Sequence, residues 1–132
     1  MLGRRLLSIA ILAPITIAAL IAGGWWLALF IALLVALAAW EYGHMFNNGG
    51  YDTFMPGIIL GSILFVVLRQ GYGFEYADLL IACLILVLMA WHTLQYQRGH
   101  ETAALDFCIS LSGVLYLGWT IAYFISIRNL PD

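Results

Sequence analysis

Lysine is missing altogether from this sequence, and charge of either sign is scarce: 9% of its 132 residues are charged, against an apolar share of 64%. A soluble domain is about a quarter charged and about half apolar, so this chain cannot cover a water-facing surface of its size. Its mean hydropathy of +1.00 points to a bilayer instead. All five cations are arginines (Arg4, Arg5, Arg69, Arg98 and Arg128) and the net charge is −2. With no basic tract, nothing indicates a nucleic-acid partner. Both cysteines, Cys83 and Cys108, fall inside apolar runs; that context argues against a disulfide framework and predicts buried small hydrophobes. There is no nucleophile elbow, no phosphate-cradling glycine loop with a lysine and no Cys-x-x-Cys.

What the chain does have is apolar length. Continuous runs cover about Leu6–Ala22, Trp25–Trp40, Met55–Leu68, Ala77–Thr93 and Ala104–Ile127. A helix needs roughly 17–25 apolar residues to cross a bilayer, and helices satisfy their own backbone hydrogen bonds in lipid. The expected fold class is therefore all-α: a polytopic membrane protein of about five helices. The first two are joined only by "AGGWW" and must form a tight hairpin. Gly23 and Gly24 permit the left-handed backbone that ends a helix, and Trp25 and Trp26 read as an aromatic anchor at the membrane–water boundary. Small residues recur every four positions: Ala10, Pro14, Ala18 and Ala22 on the first helix, then Ala28, Ala32 and Ala36 on the second, with Trp40 extending that row. Such rows let helices approach closely in lipid. Pro14 falls mid-span, where neighbouring helices are expected to re-satisfy the freed carbonyl. Pro56 fits a helix's first turn. Gly57-x-x-x-Gly61 is explained by packing within the chain at least as well as by dimerisation.

A cleaved signal peptide competes for the N-terminus, but Leu20 and Ala22 make a poor small-x-small site and a second span follows at once. Arg4 and Arg5 favour a cytoplasmic N-terminus, with Arg98 inside and Arg69 and Arg128 outside. Three carboxylates sit at run edges: Glu41, Asp78 and Asp106. First-turn placement explains Asp78 and Asp106 through the helix dipole. Glu41 differs, because it reads as closing the second helix, where the dipole disfavours it. With His44 it forms Glu-x-x-His, but di-iron bundles need paired copies and there is one. "HETAA" at His100–Ala104 lacks the second histidine of a zinc-protease motif. His92 reads as a helix-end or interfacial histidine, and Ser110 and Ser112 as helix hydroxyls bonded to backbone.

The order of these features resembles a known family. "RRLLSIAILAPITIAALIAGGWW" followed by a helix ending "LAAWEYGHMF" looks like the N-terminal half of bacterial phosphatidate cytidylyltransferases (CDP-diglyceride synthases). The likeness resumes at "ALDFCISLSGVLYLGWTIAYFISIRNLPD", with an acidic residue, the Gly113-x-x-Tyr116 step and a closing Leu-Pro; residues 50–100 are only generically similar. The resemblance implies an enzyme of phospholipid biosynthesis in the bacterial inner membrane, a nucleotidyltransferase that transfers CMP from CTP to phosphatidic acid, forming CDP-diacylglycerol and pyrophosphate. Magnesium is expected for the full-length family, offsetting triphosphate charge. The family's C-terminal lysine-bearing and His-Gly-Gly elements are absent, so no catalytic, cofactor-binding or metal residue is carried over and no cofactor is expected on this chain. Residues 1–132 are expected to be the N-terminal transmembrane region without its catalytic half, inactive alone, with membrane lipid, a second copy or a separate catalytic half as partners. The site candidates are structural or interfacial: Trp40, Glu41, Trp25, Trp26 and Pro14, with Glu41 orienting a neighbouring helix or loop, or simply solvated. The second reading is a small non-enzymatic membrane assembly or packing partner. A transporter subunit is weakened by the lack of mid-span charge.

Overall fold

A computed structural model describes residues 2–130, so the final Pro131–Asp132 of the "NLPD" ending lies outside the described residues. Five helices are long and apolar enough to cross a membrane: α1 Leu2–Ala22, α2 Gly24–Asn48, α3 Met55–Tyr72, α4 Ala77–Gln97 and α5 Ala103–Arg128. No strand occurs among the described residues. Gly23 and Gly24 carry φ of 63° and 55°, the left-handed backbone the α1–α2 turn requires. Trp25 and Trp26 are exposed just after it, as boundary anchors should be. Pro56 occupies the first turn of α3, where its missing N–H costs little.

α3 sits at the centre, packed against α2, α4 and α5, while α1 packs chiefly on α2. The buried stripe of α2 is Leu27, Ala28, Ile31, Val35, Ala39 and Gly43. That corrects the expected small-residue row: Ala28 lies in the stripe, Ala32 and Ala36 flank it, and Trp40 is exposed. The four-residue period was right but its phase was off, because branched Ile31 and Val35 fill the groove that alanines alone would leave. α1 departs further. None of its residues is buried; Ala10, Pro14, Ala18 and Ala22 face outward, and only Thr16 and Ala19 are partly covered. The helix continues unbroken through Pro14, with no neighbour covering that residue.

Gly57 and Gly61 are used inside the chain. A Cβ on Gly61 would lie 2.9 Å from Leu84 and 3.2 Å from Val114, and one on Gly57 would press on Phe54 and Leu88. Both cysteines are exposed and free, against the expectation of burial. In a bilayer the outward helix face is itself apolar, so an apolar neighbourhood in sequence does not specify the inside.

α5 contains a π-helical stretch, Val114–Trp119. The widened turn brings Gly118 so close to α3 that a Cβ there would lie 2.8 Å from the Ser62 Cα. Near the same end, the Arg69 guanidinium lies 3.5 Å over the Phe74 ring, 4.5 Å from Tyr123 and 6.0 Å from Trp119. Arg69 is only 6% exposed. It closes the last turn of α3, where a cation suits the dipole. Arg128 Nε donates to the Leu20 carbonyl at 3.1 Å, tying the end of α5 to the end of α1.

Candidate functional site

At the opposite end, the one shared by the start of α1, the 49–54 loop and the 98–102 turn, the chain gathers the buried polar residues Thr53, His92, Asp106 and Ser110. Asn47, in the last turn of α2, accepts on Oδ1 from the Thr53 backbone N–H (2.9 Å) and the Thr53 hydroxyl (2.6 Å). That closes the 49–54 loop on itself. The loop then docks on α5. The Asp52 N–H donates to Asp106 Oδ1 at 3.1 Å, and the Phe54 N–H to Ser110 Oγ at 3.1 Å. Thr102 Oγ1 donates to the second Asp106 oxygen at 3.0 Å. Gln95 Nε2, from α4, donates to Asp52 Oδ2 at 3.1 Å. Ser110 Oγ is 3.3 Å from His92 Nε2. Asp106, Ser110 and His92 are 1%, 0% and 3% exposed. Burying such groups costs free energy unless each is hydrogen-bonded, so the cluster fixes how the loop, α4 and α5 meet.

The trio suggests a Ser-His-Asp triad, but its wiring is wrong. A triad needs the carboxylate on His Nδ1 and a reachable hydroxyl. Here both Asp106 oxygens serve Asp52 and Thr102, His92 Nδ1 has no partner among the described residues, and Ser110 is sealed. Nor does the donor set fit magnesium: among the described residues no three His, Cys, Asp or Glu side chains converge.

Sequence reasoning placed these groups on their helices without showing that they meet. Asp106 does sit in the first turn of α5, but its work is to hold a loop. His92, near the end of α4 as expected, is buried against α5, and Ser110 bonds to a neighbouring segment's backbone, as a helix hydroxyl was expected to do. The available signal was the four-residue spacing Thr102, Asp106, Ser110, which puts three polar side chains on one helix face.

Glu41 does not close α2; the helix continues about two turns to Asn48. Its side chain is exposed and takes part in no hydrogen bond among the described residues. Its motif partner His44 instead stacks on Trp40, with ring centroids 5.3 Å apart and planes at 8°. The neighbour Tyr42 makes the cross-chain link: its hydroxyl donates to the Ile109 carbonyl at 2.9 Å. Its ring fills the space above Gly113, where a Cβ would lie 2.6 Å away. Thus the two resembling segments, "LAAWEYGHMF" and the one holding Gly113-x-x-Tyr116, meet in space through Tyr42 and Gly113, while Tyr116 faces outward. The structure brings together neither Trp25 and Trp26 nor Pro14 with this cluster; the tryptophans start α2 at the far end, and Pro14 lies on the outer face of α1.

No match is found among curated proteins or solved structures. A family match does exist, and it spans nearly the whole chain, residues 3–132, including both segments joined by Tyr42 and Gly113. The chain belongs to the cytidylyltransferase family.

Proposed function

We propose that this chain is the membrane scaffold of a phosphatidate cytidylyltransferase, the enzyme that forms CDP-diacylglycerol and pyrophosphate from CTP and phosphatidic acid. The observation that carries this is the family match over residues 3–132, on a bundle in which Asp106, Thr102, Ser110 and Asn47 fix the 49–54 loop at one end. Transfer of a nucleotidyl group depends on positioning and on neutralising triphosphate charge. The sequence has no lysine, and its buried carboxylate is committed to holding the loop. On this reading the face fixed by the Asp106 cluster is where groups that neutralise the triphosphate, including the magnesium expected for the family, would dock. Arg4 and Arg5 at that end support a cytoplasmic placement, and the family resemblance supports a bacterial inner membrane, where CTP is available on that side.

A second reading, a non-enzymatic assembly partner, draws on one feature: α1 buries none of its residues and leaves the face turned away from α2 open to another helix. One experiment separates the two. Purified chain in phosphatidic acid vesicles receives labelled CTP and magnesium, alone and with a separately expressed family polypeptide carrying the lysine and His-Gly-Gly elements. CDP-diacylglycerol is expected only with both. Turnover by the chain alone refutes the scaffold role, and failure of the pair to associate or turn over supports the packing partner.

A further inference from the structure

Tyr116 points outward with 69% of its surface exposed, and cytidylyl transfer gives it no task. Helix α5 runs 26 residues from Ala103 to Arg128, and Tyr116 stands at its middle. Ser112 and Thr120, also exposed, are each one four-residue step away, about 6 Å along the axis. All three hydroxyls therefore lie well inside a hydrocarbon core ~30 Å thick. The headgroup belt that accounts for Trp25 and Trp26 does not account for a tyrosine at mid-depth, whose side chain is too short to reach either boundary.

At that depth neither water nor an acyl chain offers a hydrogen bond. Outward hydroxyls elsewhere solve the problem locally: Ser8, Thr16 and Thr93 each donate to the carbonyl four residues back. Thr120 makes only a long bond, 3.4 Å to the Leu115 carbonyl. Ser112 makes none among the described residues, and a tyrosine hydroxyl lies too far from its own backbone to make one. The strip is polar where lipid is not, so what covers it is a protein helix with hydrogen-bonding groups at the same depth.

A second copy of this chain meets that requirement without further assumptions. Two copies inserted in the same orientation are related by a two-fold axis along the membrane normal, which sets each hydroxyl against its own depth on the neighbour. Hydroxyls both donate and accept, so the strip is complementary to itself. Between Asp106 and Arg128 the helix carries no charge to oppose the approach. Ser112 and Thr120 are small, at the four-residue spacing that lets membrane helices pack closely. Helix side chains lean towards the N-terminus, which brings the Tyr116 hydroxyl towards the level of Ser112. We infer that the chain pairs with a second copy through the outward face of α5, each Tyr116 hydroxyl donating to Ser112 Oγ of the second copy.

This pairing uses no step of cytidylyl transfer and is tested without it. Chains labelled at the N-terminus with a donor or an acceptor fluorophore are mixed in phosphatidylcholine vesicles over a range of lipid-to-protein ratios. Energy transfer should follow a monomer–dimer equilibrium. Tyr116→Phe and Ser112→Ala should each weaken it about eightfold, the loss of two bonds of about 0.6 kcal/mol each. The double variant should be no weaker than either single one, because both remove the same bonds. Helix content should persist in all three, since both side chains face outward. With Cys83 and Cys108 replaced by serine, Ser112→Cys should cross-link to its counterpart on oxidation. Leu86→Cys, on the outward face of α4, should not. A monomer at every ratio, undiminished pairing in Tyr116→Phe, or cross-linking at residue 86 as strong as at residue 112 would each overturn the assignment. So would association with the lysine-bearing family polypeptide alone and never with a second copy.

Discussion

Asp78 and Asp106 occupy equivalent places, each an acidic residue in the first turn of a membrane helix. Asp78 is exposed while Asp106 is sealed beneath a loop contributed from 54 residues away. Their local sequences supply the same dipole argument for both, and only the path of the 49–54 loop tells them apart. Asp106→Ala should therefore leave the Asp52 N–H and the Thr102 hydroxyl without their acceptor, costing about 1–3 kcal/mol. Hydrogen exchange at the Asp52 and Phe54 amides should accelerate, while the amides of mid-α3 stay protected. Asp78→Ala should move neither. Tyr42 was hidden for a similar reason. A tyrosine beside Trp40 and Glu41 reads as one more interfacial aromatic, yet its hydroxyl crosses to Ile109. Tyr42→Phe should lower stability by about 0.6 kcal/mol, the usual worth of such a bond between membrane helices, detectable as a modest fall in Tm in detergent. Glu41→Gln should change Tm less than Tyr42→Phe does, because Glu41 makes no hydrogen bond among the described residues.

Helix existence was plain in the sequence, since an apolar run bounded by Gly or Pro has few alternatives in lipid. Starts at Met55 and Ala77 coincide with the structure, and Ala104 lies next to the observed Ala103. The second helix was cut at Trp40 and runs to Asn48, because the polar residues after Trp40 signal the edge of the hydrocarbon, and an edge of lipid need not end a helix. The π turn of α5 left no mark at all. It is an adjustment of backbone pairing made where α5 passes α3, with Gly118 over Ser62. Gly118→Ala forces a Cβ onto backbone that cannot swing aside and should cost about 1–3 kcal/mol. Gly3→Ala, which meets nothing within 4 Å, is the neutral comparison in the same thermal assay. Arg69→Lys keeps the charge but loses the flat guanidinium that lies on Phe74 and near Tyr123. It should loosen the α3–α4 turn, read as faster exchange at the Gly73 amide, whose acceptor is the Arg69 carbonyl.

For the molecule as a whole, an odd number of crossings puts the two ends on opposite sides of the bilayer, and the Arg128–Leu20 link agrees by joining two far-side ends. Replacing the lipid-facing Cys83 and Cys108 with serine, then placing single cysteines at Leu2 or Asn129, should give labelling by an impermeant thiol reagent from opposite faces of sealed vesicles. Labelling of both from one face would refute five crossings. The separation of partners along the chain also sets a timetable. Asp52 waits for Asp106, and Phe54 for Ser110, so until the last helix emerges from the ribosome the loop after the second helix has only its own Asn47–Thr53 closure and one bond from Gln95. Nascent chains arrested before residue 106 should be clipped by protease in that loop, and chains carrying all of α5 should resist, which makes the final crossing the event that locks the bundle.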